Sequence, residues 1–124
     1  MWTELKRDDS RMATGEPTMS FRRAGIAFNG QLIRAAHASD STRATLFFDE
    51  QKKRVGVRFH SKSTPNAYAL RADGGRASTG RWLQVARIYD LHSWLAEVLT
   101  RPASGRRFTA EHDADNRVWY VEVR

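Results

Sequence analysis

Arginine recurs beside aromatic rings along this chain. The instances are Phe21-Arg22-Arg23, Phe47 beside Arg54 and Arg58, Tyr68 near Arg71, Arg81-Trp82, and Arg117 near Tyr120. Arg76 sits in a glycine-rich stretch. Guanidinium forks suit phosphate oxygens, and flat rings stack on bases at ~1–3 kcal/mol each. A binder of single-stranded nucleic acid needs both. Arg22, Arg23, Arg54, Arg58, Arg71, Arg76, Arg81, Arg117, Phe47 and Tyr120 are therefore the candidate contacts. The competing reading makes the arginines ordinary solvated surface and puts Phe21, Trp82 and Trp119 in a core.

Other chemistries find less support. The chain has no cysteine, so it offers no disulfide, thiolate metal site or cysteine nucleophile. Its four histidines, His37, His60, His92 and His112, show no paired spacing. No serine sits in a Gly-x-Ser-x-Gly context. Gly74–Gly80 could cradle phosphate with backbone N–H groups, but lacks the Gly-Lys-Ser/Thr ending of a P-loop. Glu111, His112, Asp113 and Asp115 are metal-capable, yet they lie consecutively on an expected turn instead of converging from separate elements. No catalytic residue, metal ligand or cofactor is assigned.

Charge points the same way as the Arg–aromatic pairs. Lys plus Arg number 21 against 14 Asp plus Glu, a net +7, and 17 of the 21 are Arg. Such a surplus favours a polyanionic partner, although a GC-rich genome enriches arginine by itself. No apolar run reaches the ~20 residues of a membrane span. The first residues lack the apolar core of a secretory signal. A cytoplasmic protein without membrane contact is expected.

The 124 residues suit a single domain. Residues 1–17 read as a mobile basic arm and 18–124 as the domain. Alternation sets the strands. In Arg43–Phe59, Ala44, Leu46, Phe48, Val55, Val57 and Phe59 fall on one face. Arg54, Gly56 and Arg58 fall on the other, beside Phe47. Further strands are expected over Thr18–Arg22, Ile26–Phe28, Tyr68–Arg71, Arg81–Arg87, Arg107–Glu111 and Arg117–Val123. Asn29 is placed to cap a short helix carrying Leu32, Ile33 and Ala36, and Asp90 to cap a second carrying Leu91, Trp94, Leu95, Val98 and Leu99.

The order strand, strand, helix, strand, strand then occurs twice, over 18–61 and 67–124. Leu32-Ile33 and Trp94-Leu95 are 62 residues apart, Arg54-Val55 and Arg117-Val118 63. The fold class is α+β: antiparallel sheet with two helices on one face, as a ββαββ pseudo-repeat. In its order of elements, over roughly residues 18–124, the chain resembles a permuted PC4-like or Whirly single-strand-binding fold. That resemblance implies single-stranded DNA laid across strands; it assigns no residue. The expected function is sequence-tolerant binding of single-stranded DNA or RNA on a basic, aromatic sheet face, without enzymatic activity and with a homodimer as candidate assembly. A protein-interaction module is the alternative and an enzyme the third reading.

Overall fold

A computed structural model describes residues 1–2, 15–74 and 79–124. Most of the expected arm and Arg76 lie outside the described residues.

The domain is α+β, with two five-stranded antiparallel sheets. The strands are β1 (Thr18–Arg22), β2 (Gly25–Phe28), β3 (Arg43–Asp49), β4 (Arg54–His60), β5 (Tyr68–Ala69), β6 (Arg71–Ala72), β7 (Arg81–Gln84), β8 (Arg107–Thr109), β9 (Glu111–Asp113) and β10 (Val118–Glu122). The first sheet has the order β6-β7-β2-β1-β8 and the second β5-β3-β4-β10-β9. Only Leu70 separates β5 from β6, and only Ala110 separates β8 from β9. Each pair is one strand bent at that residue, leaving one sheet and entering the other. Leu70 donates its backbone N–H to Thr42 at 2.9 Å, and Ala110 donates to Pro17 at 2.8 Å, so both bends stay hydrogen-bonded. The eight strands expected from alternation are all present, but they close into a ring of two sheets instead of forming a single one.

Both sheets look into one core. Met19, Phe21, Ile26, Phe28 and Leu83 come from the first sheet, and Ala44, Val55, Val57 and Val121 from the second. Phe28 meets Phe59 edge-to-face at 5.3 Å and so bridges the sheets. Helix α1 (Gly30–Ala35) adds Leu32 and Ile33. Asn29 caps it as expected: its Oδ1 accepts the Leu32 N–H at 2.9 Å. The helices therefore share the core between the sheets, and each sheet keeps an outer face of its own.

The second helix is broken. α2 (Ile88–Leu91) and α3 (Ser93–Ala96) flank His92, whose backbone is extended (φ −133°, ψ 97°), and a 3₁₀ turn follows over Glu97–Thr100. Asp90 lies inside α2 and makes no cap. Leu91, expected on the apolar stripe, is 62 % exposed because the break turns it outward. A side-chain contact explains the site of the break. The Glu50 carboxylate, in the β3–β4 turn, takes both the His92 ring and the Trp94 indole N–H, the latter at 2.6 Å. His92 also stacks on Phe48 at 4.3 Å.

The pairing is symmetric about the two halves. β2 meets β7 in one sheet and β4 meets β10 in the other, so each hairpin lies beside its counterpart. The turns show the register. Asp49 Oδ1 accepts the Lys52 N–H at 3.1 Å, and Asp113 Oδ1 accepts the Asn116 N–H at 3.2 Å. Lys53 and Arg117 then both adopt the left-handed region, at φ 54° and 55°. These equivalent positions lie 64 residues apart, not the 63 that Arg54-Val55 and Arg117-Val118 suggest. A one-residue slip exchanges the faces of a strand. Arg117 thus matches Lys53 at the turn, and Val118 matches Arg54.

Tyr89 ties α2 to the first sheet, donating its hydroxyl to the Gly25 carbonyl oxygen at 2.9 Å. Burial pushes its pKa up. An unfolded tyrosine ionises near pH ~10, while the native one keeps its proton. The unfolded state then binds fewer protons, so stability falls as pH rises above ~10. Tyr89→Phe should cost about 0.5–1.5 kcal/mol at neutral pH for the lost hydrogen bond. It should also flatten the alkaline loss, which urea unfolding at pH 7, 9 and 10.5 would measure.

Candidate nucleic-acid interface

Six of the ten expected contacts lie on the outer faces of the two sheets. Arg54, Arg58, Phe47 and Tyr120 lie together on the second. β3, β4 and β10 alternate there so that Phe47, Gly56 and Tyr120 form one cross-strand row. Arg58 lies over the Phe47 ring and Arg54 over the Tyr120 ring, each 4.8 Å from the centroid. Gly56 is needed between the rings, since a Cβ there would come within 2.5 Å of Val118 Cγ1. The row borders a shallow cavity of about 310 Å³.

The cations of this face are not alone. Arg54 lies 4.0 Å from Glu122 and is paired across the strands with Asp49. Arg58 donates to the Asn116 carbonyl oxygen at 2.6 Å. The Nε atoms of both arginines are shielded and without a partner. Tyr120 donates to Glu111 at 2.8 Å, and that bond raises the phenol pKa. Hydrogen bonds from Asn116 hold the Asp113 carboxylate below its ordinary value, so it stays charged. Asp49, Glu111, Asp113 and Glu122 stand against Arg43, Arg54 and Arg58 on the same strand positions. The face is interleaved and aromatic, as alternation implies, but it is not basic.

The first sheet presents a different surface. Register places Arg107, Ser20, Ala27, Trp82 and Arg71 in one row across β8, β1, β2, β7 and β6. At ~4.8 Å per strand the row is about 19 Å long. Its middle is low: Ala27 is only 4 % exposed. Thr18, Thr109 and Arg22 lie on the neighbouring positions of the same face. Thr18, Ser20, Arg22, Arg107 and Thr109 line an open cleft of about 810 Å³, with Ser104, Asn29, Glu16 and Asp73 at its margins.

Both carboxylates of the cleft are occupied. Asp73 takes the Arg22 guanidinium in a bidentate pair at 2.8 and 2.9 Å, which raises the Arg22 pKa. Glu16 accepts the Thr109 hydroxyl at 3.0 Å. Arg71 and Arg107 are exposed and form no ion pair among the described residues. The Arg–aromatic pattern in the sequence included Arg22 and Arg71, which fall on this face. It missed Arg107, Ser20, Thr18 and Thr109, whose strand positions become a site only through the β1–β8 pairing.

The remaining expected contacts lie elsewhere. Arg23 is exposed at the β1–β2 turn. Arg81 bends back onto the carbonyl oxygens of Thr79 and Gly80, at 3.0 and 2.9 Å. Arg117 sits in the β9–β10 turn and lines a groove with His112, Trp119 and Phe59. Trp119 packs against the core and stacks on His112 at 4.7 Å, whereas Trp82 faces outward in the Arg107–Arg71 row. Among the described residues no group of His, Asp and Glu could hold a metal ion. No helix there is long and apolar enough to cross a membrane. No protein-family model, no curated protein and no solved structure matches this chain.

Proposed function

We propose that the protein binds single-stranded nucleic acid without sequence preference, across the outer face of the first sheet. The Arg107–Ser20–Ala27–Trp82–Arg71 row carries the reading. It sets an uncommitted guanidinium at each end of a low floor, with an indole ring beside one of them. Backbone phosphates take the arginines and a base takes Trp82, the two kinds of contact that sequence-tolerant binders combine. Ser20 and Thr18 add hydroxyl donors along the floor. The second sheet's outer face supports the reading less. Four carboxylates beside its three arginines oppose a phosphate chain.

The test is titration of a fluorescently labelled oligonucleotide at several salt concentrations. Affinity should fall with log salt, with a slope of about −0.7 for each phosphate contacted. The Arg71→Ala/Arg107→Ala double variant should bind at least about tenfold more weakly at low salt, a charged hydrogen bond being worth ~1.5–3 kcal/mol. Its salt slope should be shallower by ~1.4. Arg54→Ala/Arg58→Ala should change binding little. No binding at low salt would sink the proposal. A loss confined to the second pair would move the interface to the other sheet.

A further inference from the structure

A groove of about 350 Å³ lies beside the C-terminal end of α1, along β4 and the β9–β10 hairpin. Its aromatic wall follows from the register. Val57 and Phe59 face the core, Trp119 pairs with Val57, and His112 pairs with Trp119. Burial fades along this face: Val57 is buried, Phe59 and Trp119 are half-buried, and His112 is exposed. His112 lies nearly flat on Trp119, with 20° between the ring planes. Arg58, His60 and Arg117 complete the lining, and no described carboxylate joins it. The clefts on the two outer faces differ in this respect, since Glu16 and Asp73 border one and Asp49 and Asp113 the other. Arg58 is engaged by the Asn116 carbonyl oxygen, and the His60 ring by the Thr45 hydroxyl at 2.9 Å. The Arg117 guanidinium and the His112 ring nitrogens have no hydrogen-bond or ion-pair partner among the described residues.

We infer that this groove binds a single nucleoside monophosphate. Rings half-buried along one wall offer a planar group a place to stack. A guanidinium free of carboxylates takes phosphate oxygens in a bidentate fork. The imidazole N–H groups of His112 and His60 add donors for a third oxygen. The volume suits one base with one phosphate and is too small for a run of nucleotides. Arg117 holds its place at a backbone position, φ 55°, where glycine or asparagine is the easier residue. The groove shares no residue with the Arg107–Arg71 row, so the inference stands apart from strand binding on the first sheet.

Titration of the full chain with adenosine 5′-monophosphate tests it, followed by NMR of the tryptophan indole N–H resonances. The Trp119 resonance should move and saturate with a Kd below ~1 mM. Trp82, on the outer face of the first sheet, should stay in place and so reports separately on the other site. Adenosine and inorganic phosphate should each bind at least about tenfold more weakly, having lost the charged contact or the stacking. Arg117→Asn suits the left-handed backbone and should keep the wild-type urea midpoint while weakening the nucleotide by at least about tenfold. Arg71→Ala/Arg107→Ala should bind it as wild type does. No saturable shift of Trp119, a shift of Trp82 alone, phosphate binding as tightly as the nucleotide, or full affinity in Arg117→Asn would each overturn the inference.

Discussion

Gly25→Ala is expected to be among the most damaging single substitutions in this protein. A Cβ at Gly25 would lie 1.8 Å from the Leu83 carbonyl oxygen and 2.9 Å from the Val85 nitrogen. Both are backbone atoms of the neighbouring segment, so no side-chain rotation relieves the overlap. β2 and β7 pair at this point, Gly25 with Gln84, and Val85 donates to Ala24 at 2.9 Å. Tyr89 ties down the same residue through its carbonyl oxygen. Relief would require parting the two hairpins where they join. Overpacking costs ~1–3 kcal/mol where side chains can yield. Here backbone must move, and a loss above ~3 kcal/mol is expected against a total of ~5–15. The urea midpoint reads the effect. A Gly25→Ala midpoint within 0.3 M of wild type would show that the corner can open.

Phe28→Ala should cost a comparable ~3–5 kcal/mol through the opposite fault, a void. Phe28 is fully buried and reaches from the first sheet to Phe59 on the second. Its loss removes the edge-to-face contact and leaves a hole between two sheets held apart by their bent strands. Phe28→Leu should recover more than half of the loss, and a shared urea series would measure both. If Phe28→Ala unfolds at the wild-type midpoint, the sheets do not depend on that bridge.

The strands were legible because alternation is a local property. Val55, Val57 and Phe59 declare their face without reference to anything distant, and the structure puts them on the core side. Asn29 was legible for the same reason, since a cap acts three residues away. What escaped depends on tertiary contact. Nothing near His92 in the chain announces a break in the helix; its cause is Glu50, 42 residues earlier. The repeat register escaped because Arg-Val occurs twice by composition, while the equivalence lies in the two Asp-anchored turns. Among the site residues, Arg54, Arg58, Phe47 and Tyr120 do share a face. The carboxylates that neutralise it come from strands whose neighbours the sequence does not name. Arg107 reaches Ser20 only by pairing β8 with β1 across 87 residues.

The bends at Leu70 and Ala110 have a bearing on how this molecule can associate. Along each bent strand, backbone groups on one flank go to one sheet and those on the other flank to the next, as the bonds at Leu70, Asp73 and Ala110 illustrate. No strand in the described ring is left with a wholly free edge. A neighbouring chain therefore finds no full-length strand edge as a template for adding a strand, the step by which exposed edges seed runaway aggregation. Two copies must instead meet through side chains, whose charges and shapes can be selective. Closure of the ring turns self-association from a backbone property, available to any extended peptide, into one that particular residues control.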